Sequence, residues 1–186
     1  EAAKFVCSPA LRDQEDCDAL WAALNSGLLN AVVSDHCGID VANLKQVGRN
    51  DFTQIPNGAP GAADRMHVIW TEGVAKGRIS RQKFVEITAA QPAKINGIYP
   101  RKGHIAVGCD ADLVILDPDY RGVIRLEDNP NGVDYNIYEG REQLGRVETV
   151  LLRGRVVVRD AQFVGEYGQG QFIPAKMYGS CYENRN

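Results

Sequence analysis

The chain predicts an α/β fold, and three observations carry that prediction. Apolar runs alternate with stretches of helical spacing through the first half, from Lys102 onward the apolar runs are separated by turns, and 44% of the 186 residues are hydrophobic. That is enough to bury the core of one ordinary domain or two small ones.

Taken in order, Lys4-Phe5-Val6-Cys7 reads as a strand closed by Ser8-Pro9, and Cys17, Leu20, Trp21, Leu24 and Leu28 recur at helical spacing. Ala31-Val32-Val33 is apolar at successive positions, which predicts a strand buried on both faces and completes a βαβ unit. A loop rich in Gly, Asn and Pro runs through "IPNGAPG". Met66, Ile69, Trp70 and Val74 then define a helix face that Gly77 ends. Ser80 is placed to cap a helix carrying Phe84, Val85 and Ile87, and Pro92 opens a last short turn that Asn96-Gly97 closes.

The second half is predicted to be β-rich. A turn precedes the apolar run Leu113 to Leu116, "GVIRLE" reads as an edge strand, and "VETVLLRGRVVVRDAQFV" is a hairpin with Gly154 near its turn. From Gly165 the chain has Gly and polar residues without a period, as in a disordered tail or an arm laid on a neighbouring surface. There is no internal repeat.

Charge and cysteine usage narrow the function classes. Lys and Arg number 21 against 24 Asp and Glu, a net charge of −3, which provides no basic field for nucleic acid or anionic lipid and favours a small ligand. No stretch approaches the roughly 20 apolar residues of a membrane span. Five cysteines without a CxxC pair read as reduced thiols of a cytoplasmic protein. The opening "EAAKFVCSP" has no initiator Met and no lead-in, which reads as a piece of a longer polypeptide.

The stretch "VVSDHCGID" holds the first candidates. Asp35 follows directly on a strand expected in a parallel sheet, and the loops beyond the carboxyl ends of such strands are where α/β folds place their sites. A carboxylate there binds a metal or takes a proton; the alternative, that Asp35 caps the segment after it, stays open. His36 can ligate, shuttle protons or donate a hydrogen bond, although a structural role is favoured because neighbours on an extended strand face opposite ways. Cys37 reads as a small packing residue. Ser8 lacks an evident base for a nucleophile role, leaving its backbone to hold a polar ligand. Asn57, in the rigid "IPNGAPG" loop, would likewise present main-chain groups, with a plain turn as the alternative. His67 and His104 form no HxH, HxxxH or HxxE motif, so further metal ligands would have to come from elsewhere.

Together, "KFVCSPALR", "VVSDHCGID", "DFTQIPNGAPGAADRM", "NGIYPRKGHIAVGCDADLVILDPD" and "VDYNIYEGREQLGRVETVLLRGRVVV" resemble the C-terminal part of the dihydropyrimidinase and hydantoinase family of cyclic amidohydrolases. The resemblance covers nearly the whole chain in order, and "SDHC" with "IPNGAPG" at their mutual spacing is its most specific part. It implies the last strands and helices of a (β/α)8 barrel over residues 1–101, the C-terminal part of a β-sandwich over 102–164, and a tail over 165–186. The family holds two divalent metals, usually zinc, with an HxH pair, a carbamylated lysine, two further histidines and an aspartate. Asp35 matches that aspartate, which would bind one metal, take a proton from the attacking water and pass it to the leaving amide nitrogen. Backbone groups of Ser8 and Asn57 would hold the ring's amide functions.

The other metal ligands lie outside this chain, so the chain alone is expected to be inactive and to need the missing N-terminal barrel segment; the family is commonly tetrameric. The continuation Gly-Ile-Asp after the Cys differs from the family's more usual one. The implied reaction opens 5,6-dihydropyrimidines or hydantoins to N-carbamoyl amino acids. Two other readings compete: a non-catalytic relative acting through protein contacts, which typically lacks the acid at this position, and an allantoinase or dihydroorotase, against which "IPNGAPG" and "VDYNIYEGREQLG" argue.

Overall fold

A computed structural model describes residues 2–177. Its first half is helical. Helix α1 (Gln14–Ser26) begins where the Asp13 carboxylate accepts the Asp16 N–H at 3.2 Å and ends at Gly27, whose N–H reaches Leu24 O. Helix α2 (Arg65–Ile69) continues into a π turn at Trp70–Ala75, and Gly77 stops it as the sequence predicts. Helix α3 (Arg81–Val85) is capped by Ser80, whose Oγ accepts the Lys83 N–H at 3.0 Å. It runs on through a π turn (Glu86–Ala90) into α4 (Gln91–Ile95). Pro92 therefore sits in a continuing helix rather than opening a separate turn. It lacks an N–H, and its ring clashes with a regular preceding α turn; here that turn is widened to π geometry.

These helices bury Leu24, Trp70, Ile79, Phe84 and Ile87, with Trp70 and Phe84 edge to face at 5.3 Å. Trp21, Val32, Met66, Ile69, Val74 and Leu116 close around them. The last of these comes from the sheet, so the core joins both halves.

Both strands expected in the first half are absent. Residues Ala2–Phe5 form a 3-10 turn, and Ala31-Val32-Val33 is extended without a ladder, with Val33 76% exposed rather than buried on both faces. A strand is defined by its neighbours, and among the described residues the first half offers one isolated parallel bridge, His36 to Ala59. Scattered bonds hold these segments instead: the Val32 N–H donates to Ile87 O at 3.1 Å, and the Arg65 guanidinium donates to Val32 O at 2.8 Å.

The second half is a four-stranded antiparallel sheet in the order β1 (Leu113–Val123), β2 (Glu142–Leu152), β3 (Arg155–Arg159), β4 (Gln162–Phe163). Pro118 cannot donate to a ladder and lies where the β1–β2 register shifts, between Asp117 and Arg121. Only Gly122 and Val123 of the expected "GVIRLE" strand are strand, as the end of β1; Leu126–Asp128 is a 3-10 turn. The β2–β3 hairpin turns at Arg153-Gly154, both at positive φ (47° and 80°), which is why glycine is needed there.

Side chains also dock the helices on the sheet. Thr71, 2% exposed, donates its hydroxyl to Leu144 O and accepts the Leu144 N–H, at 3.2 and 3.0 Å, and His67 Nε2 accepts the Val147 N–H at 3.3 Å. At the junction Arg101 and Lys102 both pair with Asp110 at 2.9 Å, and Lys102 also pairs with Asp112. Residues 165–177 contain no helix or strand, and Lys176 N–H donates to Gly97 O at 2.8 Å; the rest of the tail, with Cys181, lies outside the described residues.

Candidate active site

Three segments carry the sequence candidates, and the loop 56–62 joins them. The Gly58 N–H donates to Val6 O at 3.0 Å, which ties this loop to the segment leading into Ser8. The Cys37 N–H donates to Ala59 O at 3.0 Å, beside the bridge from His36, which ties it to the segment leading out of Asp35. Gly58 has φ +132°, and a Cβ there would lie 2.5 Å from that of Cys37. No larger residue permits this approach.

Asp35 is exposed and lies at φ +45°, a left-handed conformation that costs a non-glycine residue about 1 kcal/mol or more. Among the described residues no hydrogen bond or ion pair engages its carboxylate, so the capping alternative finds no support. His36 Nδ1 accepts the N–H groups of Gly61 and Ala62, at 3.2 and 3.4 Å, so this imidazole holds the 56–62 loop. Cys37 is half-buried, with its Sγ 4.0 Å from Asn57 O. Ser8 and Asn57 are both exposed.

Sequence reasoning missed two groups that shape this region. Lys45 is almost wholly buried and donates to Val6 O at 3.2 Å and Pro56 O at 3.1 Å. Burial draws its pKa below the usual lysine value, opposed by the nearby Cys7 and Cys37. The second group is the 129–138 segment, which folds back from the sheet half. Asp134 accepts the Val41 and Ala42 N–H groups at 2.8 and 2.7 Å, and the Val41 bond leads in holding this carboxyl below its usual range. Asn129 and Asn136 donate to Asp64 Oδ2 at 2.6 and 3.0 Å, while burial raises the Asp64 pKa. Tyr135, 3% exposed, has its phenol pushed up to about 12 by burial, with Asp134, Cys37 and Cys7 adding to the effect. No local pattern marks these residues, because their partners are backbone groups and amides distant in sequence.

A cleft of about 700 Å³ lies away from Asp35, lined by Ala2, Lys45, Arg49 and Phe52 among others. Among the described residues no three His, Cys, Asp or Glu side chains gather to hold a metal ion. A divalent cation would find in the unpaired carboxylate of Asp35 a single oxygen donor and would need its remaining donors from outside the described residues. His67 is not among them, since its Nε2 already accepts the Val147 N–H and burial, with Arg146 nearby, lowers its pKa.

Comparison with known proteins gives this geometry a family. The model of the amidohydrolase family matches residues 3–157. The chain is 48% identical over all its 186 residues to a D-hydantoinase of Geobacillus stearothermophilus, covering 40% of it. It is 38% identical over 175 residues, 94% of the chain, to a D-phenylhydantoinase of Escherichia coli O81 (strain ED1a), covering 38% of it. Among solved structures, the D-hydantoinase from Bacillus sp. AR9 superposes with a TM-score of 0.93 at 48% identity, over 96% of this chain and 39% of that one. The dihydropyrimidinase from Brevibacillus agri NCHU1002 gives 0.86 at 50% identity, over 88% and 35%. The chain thus spans about two-fifths of the length of the curated relatives it matches. Matched across residues 3–157 and alike in both sequence and fold to hydantoinases and a dihydropyrimidinase, the chain belongs to the amidohydrolase family.

Proposed function

We propose that the polypeptide to which this chain belongs hydrolyses the cyclic amide bond of 5,6-dihydropyrimidines or hydantoins, releasing N-carbamoyl amino acids. The observation that carries this reading is Asp35: an exposed carboxylate without an internal partner among the described residues, held at a left-handed turn, in a chain 48% identical over its whole length to a D-hydantoinase. In this reading residues 1–101 are the closing part of a (β/α)8 barrel, 102–164 the C-terminal part of a β-sandwich, and 165–186 a tail available to a neighbouring subunit of a tetramer. No helix of the described residues is long and apolar enough to cross a membrane; the cytoplasmic location in this reading rests on cysteines without a CxxC pair.

Water adds to the ring carbonyl carbon, the ring C–N bond breaks, and the amide nitrogen leaves with a proton. Asp35 acts twice, accepting a proton from the attacking water and returning it to that nitrogen. Asp35 would hold one of two divalent metal ions, zinc by family habit, which when bound would supply Lewis acidity to the carbonyl and acidity to the water. Backbone groups of Ser8 and Asn57 orient the ring by pairing with its amide N–H and C=O functions, and His36 keeps the 56–62 loop in place.

The test is a substrate panel on the full-length, metal-loaded protein. Ring opening of a 5,6-dihydropyrimidine and of a hydantoin is expected, faster than that of allantoin or dihydroorotate. Turnover of neither expected ring contradicts the reading.

A further inference from the structure

The turn Lys45–Gly48 inverts hydropathy. Leu44 is 51% exposed and Val47 is 65% exposed, yet Lys45 between them is 1% exposed. Burying an ammonium is costly unless its donors are satisfied. Its Nζ bonds reach the carbonyls of Val6 and Pro56, two residues before Ser8 and one residue before Asn57. The Val6 carbonyl also accepts the Gly58 N–H, so one ammonium and one backbone bond fasten both segments at a common point. No carboxylate among the described residues pairs with Lys45. An apolar side chain would suit the burial but leave two inward carbonyls without that donor.

We infer that Lys45 is a positioning residue for the substrate, a buried ammonium clip that sets the spacing between the backbone groups of Ser8 and Asn57. This rests on the cyclic amidohydrolase reading above. Lys45 neither ligates metal nor carries the reaction's proton; its loss loosens the two ring-holding segments relative to each other and leaves Asp35 in place.

The experiment uses the full-length holoenzyme with a 5,6-dihydropyrimidine as substrate, comparing wild type, Lys45→Met, Lys45→Gln and Lys45→Arg for kcat, KM and metal content. Lys45→Met is expected to raise KM about tenfold with kcat within about threefold and metal content unchanged, and Lys45→Arg, which keeps charge and donors, to recover most of the loss. A KM unchanged in Lys45→Met, or a loss confined to kcat, overturns the inference. If Lys45→Met does not fold, Lys45→Gln decides by the same criteria; if neither folds, Lys45 is a general structural residue and the positioning role is overturned. A wild type without ring-opening activity overturns the functional reading and Lys45 with it, whereas an active wild type beside an unaffected Lys45→Met overturns Lys45 alone.

Discussion

Residues 113–163 meet one another's backbone groups along a ladder from β1 to β4, whereas residues 2–101, among those described, have helices and a single isolated bridge. In the first half side-chain clips, with a few scattered backbone bonds, stand in for the ladder. Lys45 clips Val6 to Pro56, Arg65 holds Val32, His36 holds Gly61 and Ala62, and Asp134 reaches across to Val41 and Ala42. A backbone ladder tolerates side-chain replacement, but a clip is lost with its residue. Substitutions among the clips should therefore disturb the site, and those between sheet and helices should disturb stability.

The largest expected effect breaks the chemistry and spares the fold. Asp35→Asn in the full-length protein should lower kcat by about a thousandfold or more, with the thermal midpoint of the metal-free protein unchanged, since the amide cannot take the proton. Next comes Asp64→Ala, which strands the buried amides of Asn129 and Asn136 and should cost about 2–4 kcal/mol in denaturant unfolding. Burial holds the folded Asp64 pKa above its unfolded 3.8, so the native state binds this proton more tightly. Its contribution is full below pH 3.8 and declines as pH rises through the folded value. Asp64→Asn should keep an acceptor and remove that decline, which a series of unfolding curves against pH would reveal.

A smaller effect concerns the helix–sheet contact. Burial, then Arg146, holds the His67 pKa below 6.5, so the native state binds fewer protons than the unfolded one. The contribution of His67 is present above pH 6.5 and lost as pH falls toward the folded value, because a protonated Nε2 cannot accept the Val147 N–H. Thermal unfolding of His67→Gln should show a shallower loss of stability on acidification. The smallest effect is expected for Cys37→Ser: its sulfur packs on Gly58 and its hydrogen bond to Asn57 O is a long 4.0 Å, and kcat/KM should change by less than about threefold in steady-state assays.

What the sequence made legible was local. The helix α1, the Ser80 cap, the Gly77 stop and the Arg153-Gly154 hairpin each depend on residues within one or two turns and stand as expected, but of the face expected on α1 only Leu24 is buried, while Leu20 and Leu28 are 54% and 79% exposed and Leu28 lies past the helix end. The strands at Lys4–Cys7 and Ala31–Val33 failed because an apolar run states a willingness to pair, while the ladder needs a neighbour that residues 2–177 do not provide. Asp35 was singled out by its residue type and by a strand end that the described residues do not form. The contacts of His36, the burial of Lys45 and the Asp64 cluster were not legible, since each rests on partners from 11 to 72 positions away. The second turn of the sheet, Asp160-Ala161 at φ 50° and 61°, lacks the glycine that would have announced it.

The central claim is that Asp35 serves a metal-dependent ring opening in a longer polypeptide. It is tested most directly by native mass spectrometry of the full-length protein and its Asp35→Asn variant, with ring opening assayed on the same samples. About two divalent metal ions per subunit in the active wild type, with metal occupancy and activity both falling in the variant, is the predicted result. Full activity and unchanged metal content in Asp35→Asn would contradict it.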